Sequence, residues 1–434
     1  MKQIMSKIGS LASIRDIGKL FSANVFAQLL GILIYPLLTR LYTPEDFGLL
    51  NLFGSIAGIL IILSTLEWYN AIVLPKKDED ASSMVHLCGL SIAALTLLLI
   101  ATIPLAEPIA AVFKSPQLAQ YYWLIPIYVL LMGSWNVLNY WYIRHKAYSR
   151  ISGYQISQSL FSAGYKAGLG AVPVVGGLIY ATILSPLCAL TLSISLAAKK
   201  YLKPLGSWNW NSCRKVAKEY SNFPKFSTPR VLINSIATQL PILLLTPLFG
   251  NAAVGLLGMA FMLAFVPVNM LTHSLYQVFY QKTTERVQQR LPIYNYYKRF
   301  SWLAAGVIIV LQALLFLPLP TIVEWFLGDE WRLSGELIRW TFPWLLCYVL
   351  TFSTGYIPDI FGKQKTELYF EILLTILRVA GLGIGIWQND FEMSFAGYVV
   401  GSAIGTGARF IWQMAVIKHY EDSLTPASSS TSIS

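Results

Sequence analysis

Long apolar stretches separated by short polar ones leave this chain little choice of fold. A helix needs roughly 20 mostly apolar residues to cross the hydrocarbon core of a bilayer. Twelve stretches meet that need: 17–41, 47–74, 84–106, 118–143, 150–173, 176–198, 225–249, 254–280, 297–319, 336–357, 366–388 and 395–417. In hydrocarbon every backbone N–H and C=O must find its partner within the protein, so segments of this length cross as α-helices. Composition agrees. Only 12% of residues are charged and the mean hydropathy is +0.56, whereas soluble domains carry about 25% charged residues. The expected fold is all-α and integral to the membrane, with about 12 transmembrane helices. The apolar stretch from Ile17 is too long for a signal-peptide core and reads as the first span.

The cations set the orientation. With the N-terminus in the cytoplasm, the inner segments hold Lys2, Lys7, Arg15 and Lys19, then Lys76 and Lys77, then Arg144, Lys146 and Arg150. Lys199 through Lys225, Lys282 through Arg299, Lys363, Lys365 and Lys418 follow on the same side. The outer loops hold only Lys114 and Arg332. This is the positive-inside pattern. It accounts for the net charge of +11 without any nucleic-acid partner. Both termini are expected in the cytoplasm, with membrane lipids as neighbours throughout.

The chain also repeats itself faintly. LLTRLYTPEDFGLL begins at Leu37 and LLTPLFGNAAVGLL at Leu244. Aligned without a gap, Leu37, Leu38, Thr39, Leu41, Gly48, Leu49 and Leu50 fall on Leu244, Leu245, Thr246, Leu248, Gly255, Leu256 and Leu257. The echoes lie at the first and seventh spans. An even number of spans separates them, so the two copies enter the membrane in the same direction. Parallel repeats of this kind occur in secondary transporters, with the substrate site between the halves. The expected organisation is a six-helix bundle over 1–198, a cytoplasmic amphipathic linker over 199–224, a second six-helix bundle over 225–418 and a polar tail over 419–434. The two bundles would surround a central polar cavity.

Charges near the middle of a span are costly and should face a wet cavity or a partner. Lys166 in the fifth span and Arg378 in the eleventh are such charges, on counterpart spans. Helical spacing places Gln155, Gln158, Ser162 and Lys166 on one face, and Glu367, Glu371, Thr375 and Arg378 on another. Arg230 and Asn234 share a face of the seventh span. Asn24 and Gln28 do so in the first, His273 lies in the eighth, and Arg409 in the twelfth. Lys166, Arg378, Arg230 and Arg409 are thus candidates for a cationic lumen, with Asn24, Gln28, Gln155, Gln158, Asn234 and His273 as its polar lining. The plainer alternative for each polar residue is a hydrogen bond between neighbouring helices. Arg230 and Arg409 lie nearer span ends, where a long side chain reaches the interface. A cationic cavity suits a diphosphate, which Arg and Lys bind well. Glu67, Glu371 and Asp359 are candidates for pairing with these cations or for carrying a coupling ion, H⁺ or Na⁺.

Several chemistries find no support. Cys88, Cys188, Cys213 and Cys347 are far apart, and the four histidines form no cluster, so neither a metal site nor a disulfide framework is indicated. There is no Walker A motif or Rossmann fingerprint. No cofactor is expected, and no loop is long enough for a catalytic domain.

Three stretches carry a family resemblance. LTRLYTPEDFGLLNLF (38–53), IVLPKKDEDA (72–81) and WFLGDEWRLSGELIRW (325–340) resemble bacterial oligosaccharide flippases. These belong to the superfamily of multidrug, oligosaccharidyl-lipid and polysaccharide exporters. The resemblance implies a flippase of the bacterial inner membrane that moves undecaprenyl-diphosphate-linked repeat units for O-antigen, capsule or exopolysaccharide. It implies two six-helix bundles that rock between inward-open and outward-open states, with spans 1, 2, 7 and 8 lining the cavity and the lipid tail left in the bilayer. A polysaccharide polymerase and chain-length proteins are the partners it suggests. Family members often carry arginines in the first helix of each half. Here Arg230 partly matches, whereas the first span offers Asn24 and Gln28. Two other readings stay open: a cation-coupled multidrug exporter of the same fold, and a membrane polysaccharide polymerase. Positive mid-span charges weigh against the first and short outer loops against the second.

Overall fold

The computed structural model describes residues 25–172, 174–197, 201, 205 and 208–424, and only the backbone of residues 270, 271, 273–278 and 281. Helices and turns account for the described residues, with no strand among them. We number the main helices α1 (Val25–Leu41), α2 (Pro44–Thr65), α3 (Asp78–Ala101), α4 (Leu124–Arg144), α5 (Tyr148–Ala171), α6 (Gly177–Ala197) and α7 (Trp210–Glu219). Thr228–Gln288 is helical except at Gly250 (φ 84, ψ 172), where it breaks into α8 (228–249) and α9 (251–288). Then follow α10 (Tyr294–Phe316), α11 (Leu319–Leu327), α12 (Arg332–Thr354), α13 (Gln364–Trp387) and α14 (Phe391–Asp422). Every span expected from the sequence has a helix among the described residues, the first of them from Val25 onward; α7 lies in the linker and α11 in the turn between α10 and α12. Six stretches among the described residues are long and apolar enough to cross a membrane: α2, α3, α6, the run through α8 into α9, α10 and α13. The others are shorter among the described residues or more polar.

The helices group into two compact units, Met1–Gly255 and Leu256–Ser434. Like pairs recur in each. In the first, α5 packs along α6, and α3 along α4. In the second, α13 packs along α14, and α10 along α12. The α13–α14 seam is a ladder of small residues. Gly381 faces Gly397 so closely that a Cβ on Gly381 would lie 2.0 Å from the Gly397 carbonyl oxygen, while Gly385 meets Ser394, Gly401 meets Leu377 and Gly405 meets Leu374. Small residues at steps of four let helix backbones touch, which is where attraction between helices in lipid arises.

The quoted echo marks two equivalent corners, α1 into α2 and α8 into α9. Within the first unit these corners touch. A Cβ on Gly48 would stand 1.7 Å from the Asn251 carbonyl oxygen, and one on Gly255 would stand 1.8 Å from that of Pro44. The alignment that superposes the echoes carries Pro44 onto Asn251 and Gly48 onto Gly255. The contact is therefore reciprocal, as across a local two-fold axis. Asn51 adds a bond from its Nδ2 to the Val254 carbonyl (3.3 Å), and Asn251 donates to Ser115 Oγ (3.0 Å).

The motif residues shape turns. Thr43 caps α2: its hydroxyl accepts from Asp46 N (3.3 Å), and Asp46 Oδ2 accepts from Thr43 N (2.9 Å), with Pro44 in the first turn. This is a capping box, of the kind worth about 1 kcal/mol. In GDEW, Gly328 takes φ 109, Trp331 is buried and Arg332 pairs with Glu324 at 2.6 Å. In IVLPKKDEDA, Asp78 meets Arg144 (2.8 Å) and Asp80 meets Lys215 of α7 (3.2 Å). Asn209 caps α7, whose buried face is Cys213 and Val216.

Candidate functional site

The polar stripe of α5 meets α1 inside the first unit. Ser159 Oγ donates to the Ala27 carbonyl (3.1 Å), and Tyr42 at the end of α1 donates its hydroxyl to the Lys166 carbonyl (2.8 Å). Between these two clips lies a cavity of about 230 Å³. Gln28 and Tyr35 of α1 line it with Gln158, Ser159, Ser162 and Lys166 of α5; Ala27, Gly31, Ile34 and Ala163 complete the wall. Three of the four residues placed on one face by their spacing therefore share this cavity. Gln155 does not line it, and its buried Oε1 has no hydrogen-bond partner among the described residues. Among the described residues Lys166 is the only cation of the lining, and the lining holds no carboxylate.

The second unit treats its cations differently. Arg378 is 8% exposed; its Nε donates to Ser402 Oγ (3.0 Å), and its guanidinium lies 5.4 Å from the ring centres of Trp344 and Tyr398. Two cation–π contacts and a hydroxyl occupy it. Arg409 bridges Glu367 and Glu371, at 2.7 Å for the latter. Arg378 and Arg409 are thus committed within their unit, while Lys166 opens on a cavity. Arg409→Met should lower stability by about 3 kcal/mol, because two half-buried carboxylates lose their counter-charge. Adding Glu367→Gln and Glu371→Gln should restore most of it. Thermal unfolding of the purified protein in detergent reads both outcomes.

The remaining candidates scatter. Arg230, Asn234 and Thr238 form an exposed stripe on α8, with Thr238 Oγ1 bonded back to the Asn234 carbonyl (2.8 Å). Glu67 follows α2 in a left-handed conformation (φ 59) and is 5% exposed. It accepts from Asn70 Nδ2 (2.7 Å) and Tyr69 Oη (3.3 Å), and Arg230 is near enough to act on it electrostatically. Asp359 is exposed in the turn before α13. Asn24 and the side chain of His273 lie outside the described residues. Among the described residues no group of His, Cys, Asp and Glu is placed to hold a metal ion. Sequence reasoning missed the Trp344–Tyr398 clamp and the Tyr42 clip. Both are contacts between helices distant in sequence, and neither leaves a spacing signal.

Residues 37–335 match the family described as polysaccharide biosynthesis protein. No curated protein matches the chain. Among solved structures, the chain is similar to an inward-facing multidrug resistance MATE family transporter of the MOP superfamily. The TM-score is 0.68 at 15% identity, over 93% of this chain and 96% of that one. It is similar also to a mutant MATE transporter of Vibrio cholerae, with TM-score 0.60 at 13% identity, over 94% and 96%. At such identities the likeness speaks for the fold. A multi-pass membrane protein with the twelve-helix fold of the MOP-superfamily transporters, the chain belongs to the family of polysaccharide biosynthesis proteins.

Proposed function

We propose that the protein is a flippase. It moves undecaprenyl-diphosphate-linked oligosaccharide units across the bacterial inner membrane by alternating access, and makes no chemical bond. The units serve O-antigen, capsule or exopolysaccharide synthesis, and both termini lie in the cytoplasm. The observation that carries this reading is the cavity between α1 and α5. Among the described residues it holds a lysine, two glutamines, two serines and a tyrosine, with no acidic side chain. Such a lining repels the cationic drugs of a multidrug exporter and attracts a phosphate or a sugar carboxylate. A glycan adds hydroxyls for the amides to bond. The family match and the MOP fold support the same reading. Glu67, Glu371 and Asp359 remain the candidate carriers of a coupling H⁺ or Na⁺.

Deleting the gene in its host tests the proposal. Complete lipid-linked units should accumulate at the inner face while surface polysaccharide disappears. Units that reach the outer face but stay unpolymerised would instead mark a polymerase, and unchanged glycan pools with heightened drug sensitivity an exporter.

A further inference from the structure

The largest cavity described in the second unit is of another kind. It measures about 680 Å³ and runs between α9, α10, α11 and α12, within the ~300–1,000 Å³ range of ligand pockets. On α10 it is lined from Phe300 through Val307 and Leu311 to Leu315, every residue one or three steps from the next. That is one helix face about 22 Å long at 1.5 Å per residue. Leu263 on α9 and Phe342 on α12 belong to the opposite wall. Among the described residues its two polar side chains are already bonded to backbone: Gln312 Nε2 donates to the Phe342 carbonyl (2.8 Å), and Thr272 Oγ1 donates to that of Val268 (3.0 Å). α10 is the least buried of the apolar spans.

One end of this groove is strongly basic. Phe300 follows Lys298 and Arg299 directly. Both are exposed, as are Lys282 and Arg290 in the same turn region. The other end, at Leu319 and Phe326, carries no such cluster. A hydrocarbon channel with cations at one mouth complements a lipid with a multiply charged anionic head.

We propose that this groove holds the isoprenoid chain of a polyprenyl diphosphate, the lipid part of the transported substrate; this rests on the flippase reading. A hydrophilic head must cross the bilayer while its tail stays in hydrocarbon. An apolar groove along a whole span keeps the tail beside the protein from one leaflet to the other. The basic mouth engages the diphosphate at the start of the cycle.

The full chain, purified in detergent, is titrated with undecaprenyl diphosphate and separately with phosphatidylglycerol, and bound lipid is read by native mass spectrometry. Undecaprenyl diphosphate should bind at least tenfold more tightly. Ala304→Trp with Val307→Trp, which fills the groove, should weaken it more than tenfold. Leu314→Trp, on an exposed face of α10, should leave it unchanged. Equal binding of both lipids, or full binding by the filled variant, overturns the proposal. If the filled variant does not fold, a photoreactive polyprenyl diphosphate on the unaltered protein decides: label on α10 and α12 supports the groove, and label spread over other helices overturns it. Loss of surface glycan on gene deletion with no groove binding sinks the groove alone. Groove binding with glycan unaffected upholds a polyprenyl site and sinks the flippase.

Discussion

Replacing Lys166 with Glu should cut surface polysaccharide more than tenfold while leaving the amount of protein in the membrane unchanged. Among the described residues the side chain is the only cation lining the α1–α5 cavity. Reversing its charge turns attraction for a phosphate or carboxylate into repulsion, and tenfold corresponds to about 1.4 kcal/mol, well within the reach of one charge in a poorly solvated site. Lys166→Gln should fall between the two, since it can still donate hydrogen bonds. Lys166→Arg should retain most activity. Arg378→Met in the same assay should change activity little, because Arg378 spends its charge on Trp344, Tyr398 and Ser402. The measurement is complementation of a deletion strain, with surface glycan and membrane protein quantified together. Equal loss in the Lys166 and Arg378 variants would mean that both cations serve the substrate. Full activity of Lys166→Glu would remove the cavity from the mechanism.

Gly255→Val should destabilise the fold described here by about 3 kcal/mol or more, the upper end for forcing atoms into a packed contact. The added Cβ would stand 1.8 Å from the Pro44 carbonyl oxygen and 2.9 Å from Gly48 N. Both are backbone atoms and cannot swing aside as a side chain would. Gly48→Val meets the Asn251 backbone in the same way, so the two variants should behave alike. Gly54→Val is the control, since a Cβ there meets nothing within 4 Å. Thermal unfolding and monodispersity in detergent report the difference. Matching behaviour of Gly48 and Gly255 with a silent Gly54 would establish the local two-fold in solution. A stable Gly255→Val would show that the two corners are apart there.

The opening repeat was legible in the sequence as a pattern, but its reason was not. Seven identities pointed to equivalent corners. Only the contact of Gly48 with Asn251 and of Gly255 with Pro44 explains why glycine stands at both places. The α13–α14 seam could have been read from Gly381, Gly385, Gly397, Gly401 and Gly405, since steps of four are a helix-packing signal. The α5 face was read from spacing, and the structure brings Gln158, Ser162 and Lys166 together with Gln28. Spacing names a face without naming what that face meets. Gln155 shares the face and misses the cavity for that reason.

What this sequence decides alone follows from local physics. Hydrocarbon admits no unpaired backbone, so apolar length sets the helices. Thr43, Pro44 and Asp46 set the start of α2 by bonds within one turn. The fates of the cations were decided elsewhere. Lys166, Arg378 and Arg409 look alike as charges in apolar helices. One opens on a cavity, one is clamped by aromatic rings, and one is neutralised by two glutamates. Each outcome depends on side chains from helices distant in sequence, brought within a few ångströms by packing. Electrostatic energy changes steeply over such distances at low dielectric, so the role of a charge belongs to its tertiary neighbours.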